Sequence, residues 1–206
     1  MTGVQTCALP ISGIQLSLNP VMLASPSVSG DGSFAVFVDA QQDVCFILVD
    51  EPLSEDCLGF PGQIASVAMA PDGETWGFIF LDAQGTPENT ILTIDVVTEQ
   101  QQAFTLVAPL LDGVSDIDVV QADVMDFTAD GRLLIYDAFN AISFDDGTSI
   151  GLWSIYAIDL LTENTIALVP PIPGLDIGFP SIAKTSDHHI TFDVFDTTAN
   201  QNFVFA

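Results

Sequence analysis

The chain predicts an all-β fold, a partial β-propeller of about four four-stranded antiparallel blades. Three features of the sequence predict it. An Asp-Gly turn leading into an apolar strand recurs, with turn aspartates at Asp31, Asp72, Asp130 and Asp187 and turn glycines at Gly32, Gly73 and Gly131. The steps between those aspartates are 41, 58 and 57 residues, near the period of about 40 to 50 residues typical of strand-only repeats. The apolar runs at 34–38, 45–49 and 76–81 are short and continuous, which suits strands covered on both faces by neighbouring blades. No segment sustains a helical hydrophobic period, so almost no helix is expected.

Taken in order, residues 1–11 resemble the translation of a common short-read sequencing adapter and are set aside as a non-native scar. Residues 12–206 then read as an incomplete propeller, with 13–25 the remnant of a preceding blade and blades at approximately 26–60, 61–110, 119–170 and 178–206. Both ends read as cut, so the chain is expected to be an internal fragment. In the second copy, strand A at 64–69 meets the turn Pro71-Asp72-Gly73. Proline fixes φ there, the aspartate side chain caps the turn, and glycine supplies the left-handed conformation. Strands B, C and D follow at 75–81, 90–95 and 103–107. The third copy places A at 124–127, B at 132–136, a long loop at 140–151, C at 152–158 and D at 165–169. The proline-rich stretch 170–174 can be neither helix nor central strand and reads as a connector between blades.

The composition bounds the function. Hydrophobic residues make up 49% of the 206 residues and mean hydropathy is +0.47, yet no apolar run reaches the length that spans a bilayer. Against 28 acidic residues stand two basic ones, Arg132 and Lys184, for a formal charge of −26. Such a field repels phosphate backbones and anionic lipid, which excludes nucleic acid as a partner. It suits a cationic partner, a divalent ion or a high-salt setting, and equally a solvated acidic surface that keeps an apolar protein soluble.

Pro26-Ser27 and Pro180-Ser181 open strand A, Pro71-Asp72-Gly73 forms the turn, and the run from Ile158 and Asp159 through Leu160 and Leu161 to Thr162 closes strand C. These motifs resemble the WD-like repeats of the TolB-type β-propeller superfamily, over nearly all of residues 20–206. Three departures stand out: Gly30 where the motif has proline, a first C-to-D turn at 50–56 without the Asp-Leu-x-Thr form, and His188-His189 where glycine is usual. The resemblance implies a periplasmic binding scaffold or the gating propeller of a serine peptidase. It carries over no catalytic residue, because the motif residues are structural.

Candidate sites are sparse. Adjacent His188 and His189 could ligate a transition metal, although consecutive strand residues point to opposite faces. Asp116, Asp118, Asp123 and Asp126 near the third blade's entry, and Asp145-Asp146-Gly147 in the long loop, offer hard oxygen ligands for calcium, without the spacing of a calcium loop. Cys45 and Cys57 form either a disulfide or two buried thiols. No Gly-x-Ser-x-Gly elbow occurs, and the two histidines share one turn, which argues against a Ser-His-Asp site. Trp76, Trp153, Tyr136 and Tyr156 lie on expected strands and read as core. The expected role is a non-enzymatic, secreted, periplasmic or lipid-anchored scaffold for a protein or small ligand, with no resident cofactor and with loops 110–121 and 140–151 as binding candidates. The alternative is the propeller domain of a prolyl-oligopeptidase-like hydrolase whose catalytic domain lies outside this sequence. A third reading is a halophilic structural or surface-layer component.

Overall fold

A computed structural model describes residues 24–51, 53–60, 62–109, 116–144, 146–186 and 189–206. The adapter-like stretch 1–11 and nearly all of the expected remnant blade lie outside them. Among the described residues there are fifteen strands and no helix, in four antiparallel meanders. Sheet 1 contains β1 (Ser27–Val28), β2 (Phe34–Val38), β3 (Asp43–Leu48) and β4 (Asp56–Gly59). Sheet 2 contains β5 (Gln63–Met69), β6 (Thr75–Leu81), β7 (Pro87–Asp95) and β8 (Gln101–Thr105). Sheet 3 contains β9 (Asp116–Phe127), β10 (Leu133–Ser143), β11 (Ser149–Asp159) and β12 (Thr165–Val169). Sheet 4 shows three strands, β13 (Leu175–Ile182), β14 (Ile190–Asp196) and β15 (Gln201–Phe205). Successive sheets pack on one another: β1 and β2 on β5, β5 to β7 on β9, and β9 to β11 on β13. This is a propeller arrangement, with the first strand of each sheet innermost.

The turn between the first two strands is built by side chains. In sheet 1 the Ser29 hydroxyl donates to Asp31 Oδ1 at 2.8 Å and accepts the Phe34 N–H at 3.0 Å, while Asp31 Oδ1 accepts the Ser33 N–H at 2.9 Å. Thr128 and Asp130 repeat the circuit in sheet 3. In sheet 2 Ala70 lacks the hydroxyl, and Asp72 alone caps the Glu74 N–H at 2.9 Å. Hydrogen bonds led by the Ser33 hydroxyl hold the Asp31 carboxyl down at about 2. Gly32, Gly73 and Gly131 take φ of 74°, 79° and 70°, the left-handed region that glycine enters without penalty. In sheet 4 the Ser186 N–H donates to Ala183 O at 3.2 Å, and Asp187 and His188 lie outside the described residues.

Gly30, which stands where the resembled repeat motif has proline, has a physical reason. Its N–H donates to Pro71 O of the next sheet at 2.9 Å, and a Cβ built on it would stand 2.8 Å from Pro71 Cβ. Proline would remove that donor and could not fit.

The expected long loop at 140–151 is corrected. β10 and β11 pair continuously from Leu133–Asp159 to Ser143–Ser149, leaving a short hairpin at 144–148, of which Asp145 lies outside the described residues. Asn140 looked like a loop residue but is fully buried. Its amide donates to Ala138 O, Leu152 O and Ser154 Oγ, and its carbonyl accepts the Tyr156 hydroxyl at 2.9 Å. A polar side chain satisfied this completely costs little inside a sheet. Likewise β9 begins at Asp116, inside the expected loop 110–121, and 110–115 lie outside the described residues.

The apolar runs fill the spaces between sheets. Ile79, Ile91 and Phe104 of sheet 2 pack with Met125, Phe127, Leu134, Tyr136 and Tyr156 of sheet 3, each contributing about 1.5 to 3 kcal/mol by burial. Tyr136 and Tyr156 meet edge to face at 6.1 Å. Val36, Val38 and Val44 pack with Met69, Trp76 and Phe78 between sheets 1 and 2. Cys45 and Cys57 face each other across β3 and β4 and are joined as a disulfide.

Candidate functional site

The innermost strands converge on a cavity of about 550 Å³, bounded by Ser25 to Val28, Ala65 to Val67, Asp123 to Asp126, and Phe179 to Ser181 with Lys184. Every sheet contributes, so the repeat itself creates the site. Each innermost strand is the edge of its own sheet, and half of its backbone groups therefore face the axis instead of a ladder partner.

Side chains of neighbouring sheets meet those groups. Ser27 Oγ accepts the Met69 N–H at 3.0 Å, and Asp126 Oδ2 accepts the Ile182 N–H at 3.1 Å. Asp126 Oδ1 also accepts its own neighbour's N–H, from Phe127 at 2.9 Å, and pairs with the Lys184 ammonium. That ion pair ties sheet 3 to sheet 4 at the cavity wall. Polar bonds outside the cavity link the sheets too: the Ile64 N–H donates to Gln42 Oε1 at 2.7 Å, and Asn89 Nδ2 donates to Val119 O at 3.4 Å.

Asp137 sits beside this wall, 2% exposed. An irregularity in the β9–β10 register between Tyr136 and Ala138 falls at this residue. One carboxylate oxygen accepts the N–H groups of Asp123 and Val124 at 3.1 and 2.7 Å, and the other accepts the Phe179 N–H of sheet 4 at 3.1 Å. Burial nevertheless dominates and pushes its carboxyl up to about 6, with neighbouring Asp123 adding to the rise. Burial also raises Asp123. Phe179 is held at φ 53° and Gly178 comes so close that an added Cβ would stand 3.0 Å from Asp137 Oδ2. Left-handed phenylalanine is strained, and such strain persists only where surrounding bonds enforce it.

The expected site residues scatter. Asp116 and Asp118 lie on the outer end of β9, opposite Ser143 and Ala141. Asp146 caps its own hairpin through the Thr148 N–H and hydroxyl at 2.9 and 2.6 Å, and Asp145 lies outside the described residues. Among the described residues, the His, Cys, Asp and Glu side chains close enough to share one ion are Asp39, Cys45 and Cys57. The two sulfurs of that group are bonded to each other and cannot ligate. His189 rests on Ser186, with Nδ1 3.4 Å from Oγ, on a turn outside the cavity. Trp76, Tyr136 and Tyr156 are buried, as core residues should be, whereas Trp153 is only half-buried and packs on Phe139 at 5.3 Å between ring centres. The sequence reading passed over Lys184 as a site residue, although its rarity in so acidic a chain was a usable signal. It also passed over Asp137, whose side chain binds backbone 42 residues away.

Fold and cavity together define a β-propeller repeat protein with a central opening of mixed apolar and polar lining. No protein-family model matches the chain, and no curated protein matches it.

Proposed function

We propose that the chain is a non-enzymatic binding scaffold of the TolB-like kind, which holds a protein or small ligand at the central cavity. The observation that carries this reading is the convergence of all four innermost strands on one opening lined by Ser25, Ser66, Ser181, Asp123 and the Asp126–Lys184 pair. Such a wall offers hydroxyls, carboxylates and one ammonium to a polar ligand. Among the described residues of that wall, Asp126 and Lys184 bond each other and Asp126 also bonds backbone N–H groups, rather than forming the nucleophile, base and orienting group of covalent catalysis. The Cys45–Cys57 bond supports an extracytoplasmic setting, since disulfides persist in oxidising compartments.

The test is site-specific photo-cross-linking of the full native gene product in its source cells. A benzophenone side chain replaces Ser66, in the cavity, or Asp50, exposed and outside it. A discrete product from position 66, absent from position 50 and lost on Lys184→Ala, is expected. Equal products from both positions, or turnover of ester or peptide substrates by the purified protein, would overturn the reading.

A further inference from the structure

Sheets 1 and 2 leave a second opening, separate from the central cavity. Two adjoining cavities of about 500 and 320 Å³ share Leu58, Trp76 and Val96 and form one groove. Its floor is aromatic and aliphatic: Phe46 and Trp76 meet at 5.8 Å between ring centres, and Leu58 and Val97 are 48% and 68% exposed. The Trp76 indole N–H is already used, donating to Gly73 O at 3.0 Å. The ring itself is 5% exposed and closes the back of the groove, so the accessible apolar surface is that of Leu58, Val96 and Val97. The charged residues of the rim are all acidic, Asp56, Asp72, Glu74 and Glu99, and neutral Gln101 stands beside them.

Charge selects the occupant. The whole chain carries two basic residues, and both are engaged: Arg132 with Asp159 at 2.6 Å, and Lys184 with Asp126. A second copy would bring a charge of −26 to an acidic rim, with no unpaired lysine or arginine among the described residues to offset it, so self-association there is repulsive. A heterologous partner must supply the positive charge. Two chambers that share a wall suit an extended segment, whose side chains alternate between floor and rim with a period of two.

We propose that the groove between sheets 1 and 2 docks an extended segment of a different protein, in which aliphatic side chains alternate with lysine or arginine. Aliphatic groups settle against Leu58, Val96 and Val97, in front of Trp76, and the cationic ends reach the rim carboxylates.

Trp153→Phe leaves Trp76 as the single tryptophan, and its emission reports occupancy of the groove. The protein is titrated with acetyl-Leu-Lys-Leu-Arg-Leu-Lys-amide, with the analogue carrying glycine for leucine, and with tetramethylammonium. The leucine peptide is expected to bind at least about tenfold more tightly than the glycine one, and Asp56→Lys with Glu74→Lys to weaken it by about tenfold or more. Glu88→Lys, a reversal on the exposed surface outside the groove, is expected to change it less than about twofold. Four results would overturn the proposal. They are no change in emission with the leucine peptide, equal binding of the glycine peptide, an equal loss with Glu88→Lys, which marks a bulk field effect, or tetramethylammonium binding as tightly as the peptide, which marks a small-cation site.

Discussion

Asp126 Oδ2 accepts the backbone N–H of Ile182 at 3.1 Å, 56 residues further along the chain and one sheet away. Ser27 makes the equivalent bond to Met69, 42 residues on, at 3.0 Å. In both cases a polar side chain on one innermost strand satisfies an axis-facing amide of the next. Sheet 2 has Ala68 at this position, paired with Gly77 as Ser27 is with Val36 and Asp126 with Ile135. Alanine accepts nothing, and the N–H of Phe127 is taken by Asp126 itself. The propeller is therefore tied at its axis by side chains that differ from sheet to sheet.

Asp126→Ala is expected to destabilise the fold by about 3 kcal/mol, because it strands a half-buried ammonium at Lys184 and leaves the Ile182 amide unsatisfied. Adding Lys184→Met to that variant is expected to recover part of the loss by removing the unpaired charge. Urea unfolding of the single and double variants measures both steps, and additive losses would contradict the coupling.

Gly30→Ala is expected to cost about 1 to 3 kcal/mol through overpacking against Pro71. Gly30→Pro is expected to cost more, since it also deletes the donor to Pro71 O. Thermal unfolding of the two variants beside wild type checks the order.

How much of this was legible depends on range in sequence. Asp72 and Asp130 were readable because each caps an N–H two residues away, so turn chemistry and sequence neighbourhood coincide. Asp39 and Asp82 follow the second strands of sheets 1 and 2, whereas the corresponding Asp137 lies inside β10, so one place in the repeat holds two roles. Asp39 and Asp82 cap their own hairpins, at Gln41 and Gln84. Asp137 falls at a register irregularity and binds the adjoining strand and the next sheet. Nothing local distinguishes it. Asn140 misled for the opposite reason: a residue common in loops is buried because Ser154 and Tyr156, more than a dozen residues away, satisfy it.

Asp137 gives the stability a defined pH dependence. With its folded value at about 6 against an ordinary 3.8, the folded state keeps a proton that the unfolded chain has released. Its contribution is complete below the unfolded value and is lost as pH rises through that window. Relative to Asp137→Asn, the wild type is expected to lose about 2 to 3 kcal/mol between pH 4 and pH 7. Urea midpoints of both proteins at four pH values test this, and a flat or rising difference contradicts it.

The disulfide closes a loop of 12 residues' separation. Cys45→Ser with Cys57→Ser is expected to cost about 3 kcal/mol, chiefly by freeing the unfolded chain. The chain has three cysteines, so denatured, unreduced protein is expected to show one titratable thiol, from Cys7. Three thiols before reduction would refute the bond.

The convergence of the innermost strands is tested most directly by site-resolved hydrogen exchange at the amides of Met69 and Ile182. Each lies on an edge strand, and its partner is a side chain of the preceding sheet. Both amides are expected to exchange slowly, with protection lost selectively at Met69 in Ser27→Ala and at Ile182 in Asp126→Ala. Fast exchange at both in the wild type, or protection that survives those substitutions, would contradict the central cavity and the binding role built upon it.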